Sequence, residues 1–432
     1  MTIYDEAMQM KEELVACRRD LHAHPELAWT EFRTASHVAK SLKALGYEVL
    51  MGDACMKADE MMGVPDKAEL SRAMGRAIKE GADPELVKKM EGGKTGVVGI
   101  MHFAKPGKTV GLRFDMDCLL VEENPTDAHR PTRDGFASTH PGLMHACGHD
   151  GHTAIGLGVA RLIAAHKDEM AGTVKLCFQP GEEGVMGARG MVASGIVDDV
   201  DYFLSGHIGL GNGENNSLVC MTEGFLATSK IDAFFTGKPA HAGANPQNGR
   251  NALLAAAQAS LALHTISRHS DGPSRINVGI LKAGTGRNVI PDNAVIKFET
   301  RGGSTAINEF MEGEARRMIK AAADMYGVTV KMVARGSAAS GNSSPDMGEE
   351  VYEVVKGLGV YSDIEKNHTV SGREDCSYFM SRVQDHGGKA VYMLYGTEEA
   401  SGHHTSEFDF NEDVLPLSVY TVTELVKHFT NK

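Results

Sequence analysis

The chain has 432 residues, of which 42% are apolar and 23% are charged, as in a globular protein of two or three domains. Its formal net charge of −13 argues against nucleic acid and anionic membrane surfaces as partners. The seven cysteines form no C-x-x-C pair, and the N-terminal residues lack the basic and apolar regions of a secretion signal. We therefore expect a cytoplasmic protein whose partners are neither nucleic acid nor a membrane.

Apolar residues at helical spacing predict helices between about residues 6 and 46, with a break at Pro25. His22 and His24 flank this break. We interpret them as polar residues at a helix end, because no Cys, Asp or Glu joins them at metal-ligand spacing. Residues 54–93 are rich in Met, Lys, Glu and Asp and predict a helical surface insertion. Its methionines either pack the insertion onto the body of the protein or line an adaptable apolar binding face.

Three strand-like segments each end in residues that can bind a metal ion or carry a proton. They are residues 109–114, which run into Asp115 and Asp117, residues 172–179, which run into Glu182 and Glu183, and residues 202–207, which end on His207. Open α/β sheets place their ligands at the carboxyl ends of strands. Asp117 can orient a metal-bound histidine through its far ring nitrogen. Neighbouring glutamates on a turn point apart, so one can bind metal while the other carries a proton.

The densest cluster of potential ligands is MHACGHDGH, at residues 144–152. Cys147 and His149 stand two positions apart, so an extended backbone would point both side chains to the same side. Gly148 between them removes a side chain where the backbone comes close to an ion. Thiolate and imidazole donors suit zinc, or manganese if carboxylates complete the set. The alternative is a buried cysteine beside surface histidines. A helix is predicted to follow at residues 154–165.

The pattern changes near Gly224, where a strand-helix-strand-strand-helix-strand order begins. We predict a compact four-stranded, two-helix α+β domain at about residues 225–337, with both helices on one face of its sheet. It interrupts a discontinuous α/β domain, residues 1–224 and 338–432, with a central mixed sheet flanked by helices. Metal-compatible residues resume in the second part, where an apolar strand at residues 390–395 leads to His403 and His404.

Five candidate ligands are distributed along the first domain: Cys147, His149, Glu183, His207 and His404. Five exceed the three or four protein ligands that a single zinc ion takes, so two metal ions sharing a water molecule are the simplest interpretation. Glu182 is then the residue that takes the proton of this water and passes it to a leaving amine. This combination predicts metal-assisted hydrolysis of an amide.

Seven motifs, in this order, resemble the aminoacylase and amidohydrolase branch of the two-metal carboxypeptidase family over nearly the whole chain. They are DMD (115–117), MHACGHDGHTA (144–154), FQPGEEG (178–184), GHIG (206–209), AHAGANP (240–246), GRNVIP (286–291) and HHTSEFDFNEDVLP (403–416). The resemblance implies a catalytic domain built from both ends of the chain and an inserted lid or dimerisation domain.

The resemblance also implies a role for each candidate residue. The residues that it assigns to two divalent metal ions, zinc or manganese, are Cys147, His149, Glu183, His207 and His404. The residues that it assigns to catalysis and substrate binding are Glu182 as general base, Asp117 as the orienting carboxylate, His241 and Asn288 as oxyanion partners, often across a dimer, and Arg301 as the partner of the substrate's carboxylate. The bidentate fork of an arginine suits that last task.

Some positions depart from the pattern of many relatives. Cys118 stands where many have Ala, Gly181 where many have Ala, and Ser406 where many have Pro. None of these departures removes a candidate ligand. The spacing to the downstream NEDVLP run favours His404 over His403 as the last ligand.

The insertion at residues 54–93, the segment 129–139 (HRPTRDGFAST) and the ending GHH are most like members of this branch that release glutamate from an aromatic acyl group. This likeness implies a small N-acyl glutamate as substrate, in a homodimer or in an assembly with a homologous second subunit. The alternatives are hydrolysis of indole-acetyl or other N-acyl amino acids or of small peptides, a non-catalytic subunit, and a structural or redox metal protein. Structural zinc sites are closed and need no spare carboxylate, so Glu182 disfavours the last of these.

Overall fold

The computed structural model describes residues 1–211, 213–370 and 372–432. Its strands are β1 (Glu48–Met51), β2 (Val97–His102), β3 (Lys105–Asp115), β4 (Ala171–Gln179), β5 (Tyr202–Ile208), β6 (Ser217–Glu223), β7 (Ala227–Thr236), β8 (Ser274–Ala283), β9 (Asn293–Gly302), β10 (Thr329–Ala338), β11 (Asp363–Thr369) and β12 (Lys389–Gly396). Its α-helices are α1 (Ile3–Gln9), α2 (Lys11–Ala23), α3 (Phe32–Ala44), α4 (Lys67–Lys79), α5 (Pro84–Lys89), α6 (Arg130–Arg133), α7 (His149–Ala165), α8 (Ala188–Val192), α9 (Ala252–Leu263), α10 (Thr305–Met325), α11 (Pro345–Leu358), α12 (Ser377–Asp385) and α13 (Val414–Thr430). None of these helices is both long and apolar enough to cross a bilayer.

The chain divides into two compact units. The first consists of Met1–Glu223, Asn342–Val370 and Asp375–Lys432, and the second of Gly224–Gly341 with the short segment that ends at Glu374. Each unit has its own hydrophobic core. A continuous apolar core in each unit is what allows a domain to fold around a sheet of its own.

The first unit is built on an eight-stranded sheet of order β1-β2-β4-β3-β5-β12-β6-β11. The four central strands β4, β3, β5 and β12 run parallel, and antiparallel pairs at β1–β2, β2–β4 and β12–β6 make the sheet mixed. The central strands are buried over their carboxyl-terminal parts, as expected where helices cover a parallel sheet, while the first three residues of β3 are exposed. Helices α7 and α13 pack on β3, α3 packs on β1 and β2, and α12 packs on β5 and β12. The predicted fold class is confirmed.

The four central strands bring the candidate residues to one place. Because β4, β3, β5 and β12 are adjacent and parallel, their carboxyl ends lie along one edge of the sheet. The segments at or just beyond those ends carry Glu182 and Glu183 after β4, Asp117 after β3, His207 within β5 and His404 after β12. Ligands in open α/β sheets bind at this edge.

The second unit has an antiparallel four-stranded sheet of order β10-β7-β9-β8. On β7 the side chains of Ile231, Ala233 and Phe235 are buried in the core with residues of α9 and α10. Lys230 and Asp232 alternate with them and therefore point to the opposite face. Both helices thus cover one face of the sheet, as the sequence pattern predicted.

Several elements differ from the prediction. Strands β1, β6 and β11 were not predicted, and β11 is a mostly exposed edge strand of sequence DIEKNHT, without apolar alternation. Helix α7 begins at His149, five residues before the predicted start. Helix α11 begins at Pro345, because proline fits the first helical position.

Residues 54–93 form the helices α4 and α5 and short 3₁₀ turns. Met56 and Met90 are buried, and Met74 packs against the main core. The backbone N–H of Gly96 lies 3.3 Å from the sulfur of Met56. For these methionines, packing onto the body of the protein is therefore the interpretation that the structure supports.

Candidate active site

Cys147 and His149 meet at the start of helix α7, on a backbone that is not extended. Gly148 caps the helix with φ of 90°, and His149 is its first residue, so the predicted extended conformation is wrong. A Cβ on Gly148 would meet nothing closer than 3.6 Å. Glycine is favoured here because it adopts the left-handed conformation without strain. The tight turn still brings the Cys147 and His149 donor atoms within 4.8 Å of each other.

The structure brings all five predicted metal ligands together. The Sγ atom of Cys147 lies 3.5 Å from His207 Nε2 and 3.3 Å from His404 Nε2. The carboxylate of Glu183 lies 3.5 Å from His404 Nε2 and 3.9 Å from His149 Nε2. These donors form two overlapping groups, Cys147–His149–His207 and Cys147–Glu183–His404. Since both groups include Cys147, the arrangement has the form of a site for two neighbouring cations.

Two buried donor atoms test whether a cation fits this site. Among the described residues, neither His149 Nε2 nor Glu183 Oε1 has a hydrogen-bond partner, although both are inaccessible to solvent. Buried polar atoms almost always have a partner, and each exception needs an explanation. A thiolate, imidazole nitrogens and a carboxylate are the donors that zinc and related divalent ions take in proteins. The residues present therefore fit a divalent metal pair.

Backbone carbonyls orient two of the histidines. His149 Nδ1 donates to the carbonyl oxygen of Asp117 at 2.9 Å, and His207 Nδ1 donates to the carbonyl of Ile208 at 2.7 Å. These bonds leave the unprotonated Nε2 atom of each ring facing the site, where it can donate its electron pair to a metal ion. The carboxylate of Asp117, which was predicted to orient a histidine, lies farther from His149, at 3.4 Å. Its oxygens accept instead from the backbone N–H groups of Glu182 and Glu183 at 2.9 and 3.0 Å.

Burial shifts the protonation of these donors strongly. It raises the pKa of Glu183 to about 7 and that of the Cys147 thiol well above its usual value. Burial lowers the pKa of His207 well below its usual value, with help from neighbouring imidazoles. Burial also opposes ionisation of His149, but Asp115 and the hydrogen bond to Asp117 hold its pKa well above the usual range. A divalent cation supplies the positive charge that lets the thiol and the carboxyl bind as anions.

Glu182 is buried beside these donors without forming part of the Cys147 groups. One of its carboxylate oxygens lies within 4.8 Å of donor atoms of both His149 and Glu183. It lies on a tight turn that is closed by backbone bonds from Met186 and Gly187 to the carbonyl of Gly181. A carboxylate held at this distance from the donors can reach a proton on a molecule bound between them.

Of the two adjacent histidines near the C-terminus, only His404 joins the donor groups. His404 has φ of 63°, a strained conformation for a non-glycine residue, and its side chain is 51% exposed. Its backbone N–H donates to the carbonyl of Ala146 at 2.7 Å, which ties it to the Cys147 segment. His403 instead pairs with Glu399 at 3.0 Å.

Comparison with known proteins identifies the family. Residues 111–428 match the family model described as Peptidase family M20/M25/M40. This chain belongs to that family. It is 48% identical to the indole-3-acetyl-aspartic acid hydrolase of Enterobacter agglomerans, over 98% of this chain and 97% of that protein. It is 47% identical to a p-aminobenzoyl-glutamate hydrolase subunit of Escherichia coli (strain K12), over 95% of this chain and 94% of that protein.

A solved structure supports the same assignment. The aminobenzoyl-glutamate utilization protein of Klebsiella pneumoniae matches with a TM-score of 0.85 and 38% identity, over 99% of this chain and 98% of that one. A Bacillus subtilis protein of the M20 family, which matches with a TM-score of 0.67 and 23% identity over 98% of this chain and 99% of that one, is described as a dinuclear metal-binding peptidase. This M20 chain is a metal-dependent hydrolase of amide bonds, as predicted.

Two further polar contacts beside the M20 site had no clear signal in the sequence. Asp115 accepts from His152 Nδ1 at 2.5 Å, while the backbone N–H of Ile208 donates to His152 Nε2 at 2.8 Å. His152 is therefore a neutral ring that links the end of β3 to the residue after His207. Burial opposes ionisation of Asp115, but Arg113 and neighbouring imidazoles hold the pKa of Asp115 well below its usual value. The third histidine of MHACGHDGH was the available clue to this link.

His22 also differs from its prediction. It is fully buried, with Nδ1 2.8 Å from Asp150 and Nε2 3.0 Å from Glu123, so it is not simply a polar residue at a helix end. Asp150 additionally accepts from the buried Arg18 at 2.9 Å. The interpretation failed because the partners of His22 lie more than 100 residues away in the chain. His24, by contrast, is partly exposed and bonds to the carbonyl of Asp20.

The remaining predicted residues lie in the second unit. His241 and Asn288 are neighbours, since the Ala242 N–H donates to the Asn288 carbonyl and His241 pairs with Val289. Backbone N–H groups of Gly243 and Ala244 donate to His241 Nδ1, so the ring keeps Nε2–H as its donor. The guanidinium of Arg301 pairs with Glu299, at 2.7 Å for the closest atoms.

Proposed function

We propose that this protein hydrolyses the amide bond of p-aminobenzoyl-glutamate to p-aminobenzoate and glutamate. The observation that carries the proposal is the pair of overlapping donor groups that share Cys147, with Glu182 beside them. This arrangement suits a reaction in which a water molecule attacks a carbonyl and one further carboxylate carries the proton. The substrate rests on the 47% identity to a hydrolase subunit of that name over nearly its full length.

Two divalent ions, zinc or manganese, are proposed to bind Cys147, His149, Glu183, His207 and His404. Such ions lower the pKa of a bound water molecule and polarise a carbonyl oxygen. Glu182 is proposed as the general base that takes the proton and returns it to the leaving nitrogen. Asp117 keeps Glu182 and Glu183 in place through their backbone N–H groups, which is a positioning role.

The second unit is proposed to act as a lid or dimerisation domain that contributes the groups recognising the substrate. The Nε2–H of His241 and the amide of Asn288 are donors suited to an oxyanion. Arg301 is proposed to bind the carboxylate of the substrate's glutamate, by exchanging its present partner Glu299 for that group. Nε and Nη2 of Arg301 both contact Oε1 of Glu299, whereas a substrate carboxylate can offer one oxygen to each nitrogen in the bidentate arrangement that arginine favours.

A second substrate class is supported by a separate observation. The identity to the indole-3-acetyl-aspartic acid hydrolase is 48%, which is equal in practice to that of the first candidate. Both substrates join an aromatic acyl group to an acidic amino acid. The two substrates differ in the aromatic acyl group and in the length of the acidic side chain, so these are the features by which an enzyme would distinguish them.

We further propose that the active form is cytoplasmic and is either a homodimer or an assembly with a homologous second subunit. The Escherichia coli relative is named as one subunit of a hydrolase, which supports a partner. The seven cysteines form no disulfide within the described chain, in keeping with a reducing compartment. Light scattering of the purified protein, by itself and with a homologous second chain, measures the assembly directly.

The test of the proposed function is release of p-aminobenzoate by the purified protein after loading with Zn²⁺ or Mn²⁺. Glu182→Gln is the matched variant, because it keeps the size of the side chain and removes its basicity. We expect metal-dependent turnover in the wild type, and loss of at least about two orders of magnitude in the variant with unchanged metal content.

Turnover of indole-3-acetyl-aspartate without turnover of p-aminobenzoyl-glutamate would retain the reaction and replace the substrate. A Glu182→Gln protein as active as the wild type would contradict the assignment of the base. Absence of hydrolysis of every N-acyl amino acid by the metal-loaded protein, by itself and with a homologous second chain, would refute the proposed function.

A further inference from the structure

Three consecutive backbone N–H groups in the turn after β4 donate to buried carboxylates. The Gly181 N–H donates to Glu31 Oε1 at 2.9 Å, and the next two, of Glu182 and Glu183, donate to the two oxygens of Asp117. This turn carries the proposed base and one proposed metal ligand. Its peptide planes are therefore held by side chains from two other segments, in addition to the turn's own bonds.

Glu31 reaches the turn from a strained part of the chain. Trp29 is fully buried with φ of 68°, a left-handed conformation that is unusual for a bulky residue. Its indole N–H donates to the carbonyl of Met62 at 2.8 Å. The Cys118 N–H donates to the Glu26 carbonyl, which aligns this segment with the residue after Asp117. The strained turn thus delivers Glu31 beside Asp117, and strain of this kind is retained where the surrounding structure uses it.

Glu31 is buried without a cationic partner. Its side chain is inaccessible to solvent, and no lysine or arginine of the described chain pairs with it. Its second oxygen accepts from the hydroxyl of Thr95 at 2.6 Å. Burying a carboxyl group costs free energy unless hydrogen bonds compensate for lost hydration. The compensating bond on its other oxygen is the one to Gly181, so what Glu31 holds most directly is the turn.

We infer that Glu31 is a positioning residue for hydrolysis, which fixes the Gly181 peptide and thereby the directions of the Glu182 and Glu183 side chains. This inference rests on the proposed function. Asp117 holds the two glutamate N–H groups. In the peptide that precedes them, the Pro180 carbonyl accepts from Gln179 Nε2 at 3.3 Å, and Glu31 is the side chain that holds the Gly181 N–H. Supporting contacts to metal ligands are worth roughly 10- to 100-fold in activity or metal affinity.

The test compares Glu31→Leu with Glu26→Leu as a matched control. Glu26 is an equally buried carboxyl on the same segment, but its oxygens accept from the N–H groups of Arg33 and Thr34 at the start of α3. We expect Glu31→Leu to lower kcat about 10- to 100-fold and to reduce bound metal, with KM changed by less than about threefold. Glu26→Leu is expected to lower stability while kcat and metal content stay close to those of the wild type.

A conservative variant separates hydrogen bonding from folding. Glu31→Gln keeps a carbonyl oxygen for the Gly181 N–H, so we expect its kcat to stay within about threefold of the wild type. Equal kcat in Glu31→Leu and Glu26→Leu would overturn the inference, as would a Glu31→Gln protein as impaired as Glu31→Leu. If Glu31→Leu does not fold, Thr95→Val decides: a kcat about threefold lower supports the inference, and an unchanged kcat overturns it.

Bound metal, measured by atomic emission, separates this inference from the proposed function. If the metal-loaded wild type hydrolyses no N-acyl amino acid, by itself and with a homologous second chain, the proposed function fails. The inference about Glu31 is then judged on metal content alone, where a loss in Glu31→Leu but not in Glu26→Leu supports it and equal content overturns it.

Discussion

Replacement of Arg18 by methionine removes the cation at the centre of a buried group of carboxylates. Arg18 contacts Asp150 at 2.9 Å, Asp409 at 3.0 Å and Glu412 at 3.1 Å. The Arg18 side chain is inaccessible to solvent, and those of its three partners are at most 6% exposed. Methionine fills a similar volume without the charge, so the variant leaves buried carboxylates that have lost a partner.

The expected decrease in the free energy of unfolding depends on which cationic partners each carboxylate retains in the variant. Breaking a buried ion pair costs about 3–5 kcal/mol. Asp409 keeps Arg130, and Glu412 keeps Arg130 and Arg19. The third partner, Asp150, keeps His22 and the backbone N–H of Gly151 but no arginine. We therefore expect a value at the lower end, about 3 kcal/mol at pH 7.

The decrease in the free energy of unfolding caused by Arg18→Met should be larger at neutral pH than at acidic pH. Burial opposes ionisation of Asp409 and Glu412, but arginine contacts hold the pKa of each below its usual value in the folded protein. Above about pH 4, the pKa of these carboxyl groups in the unfolded chain, their ion pairs contribute fully to the stability of the fold. This contribution is lost as the pH falls through their lower pKa values in the folded protein. The difference between the wild type and Arg18→Met should shrink below about pH 4.

The single tryptophan, Trp29, lies buried in the same unit, so its fluorescence reports unfolding in urea. Arg161→Met is the control, because Arg161 pairs with Glu13 at the surface, and exposed pairs contribute about 0–1 kcal/mol. A loss below about 1 kcal/mol in Arg18→Met at pH 7, or a loss that is the same at pH 7 and pH 3, would refute this reasoning.

Three further predictions concern single side chains. Gly75→Ala in α4 should raise the free energy of unfolding by about 0.5–1 kcal/mol, because the added Cβ enters open space. Gly156→Ala in α7 should lower the free energy of unfolding by about 1–3 kcal/mol, because the added Cβ would lie 2.7 Å from the Phe114 ring. Urea unfolding checks both, and a change of the same sign in the two variants would contradict the packing. Gly148→Ala should cost about 1–2 kcal/mol through its positive φ, and equal stability would show that the turn relaxes. Cys147→Ser should lose most bound metal, because Cys147 belongs to both donor groups, and full metal content in the folded variant would remove it from the ligand set.

The candidate site could be predicted from the sequence because its residues lie at the ends of strands. Asp117, Glu183 and His207 each follow or end a run of apolar residues, and a parallel sheet brings such ends together. The local backbone was less accessible. The left-handed turn at Gly148 and the early start of α7 depend on contacts made by the folded chain, and a two-residue spacing does not distinguish a strand from a helix cap.

Buried polar contacts over long sequence distances were also beyond prediction. Glu31 lies at a position without a local motif, and the DMD motif that contains Asp115 does not indicate His152 as its partner. The partners Gly181 and His152 come close to these carboxylates only in the folded protein. The edge strand β11 was not predicted for a different reason. It is exposed on most of its length, so it has no apolar alternation from which a strand can be predicted.

The pairing of β5 with β12 sets the order in which the site can assemble during synthesis. The two strands are parallel neighbours, but the whole second unit lies between them in the chain. Because that unit is compact with its own core, it can fold while β12 is still being made, and it then shortens the loop that must close. His404 is the last of the five donors to leave the ribosome. A nascent chain thus holds four of these donors early, and it gains the fifth only after residue 404 has emerged.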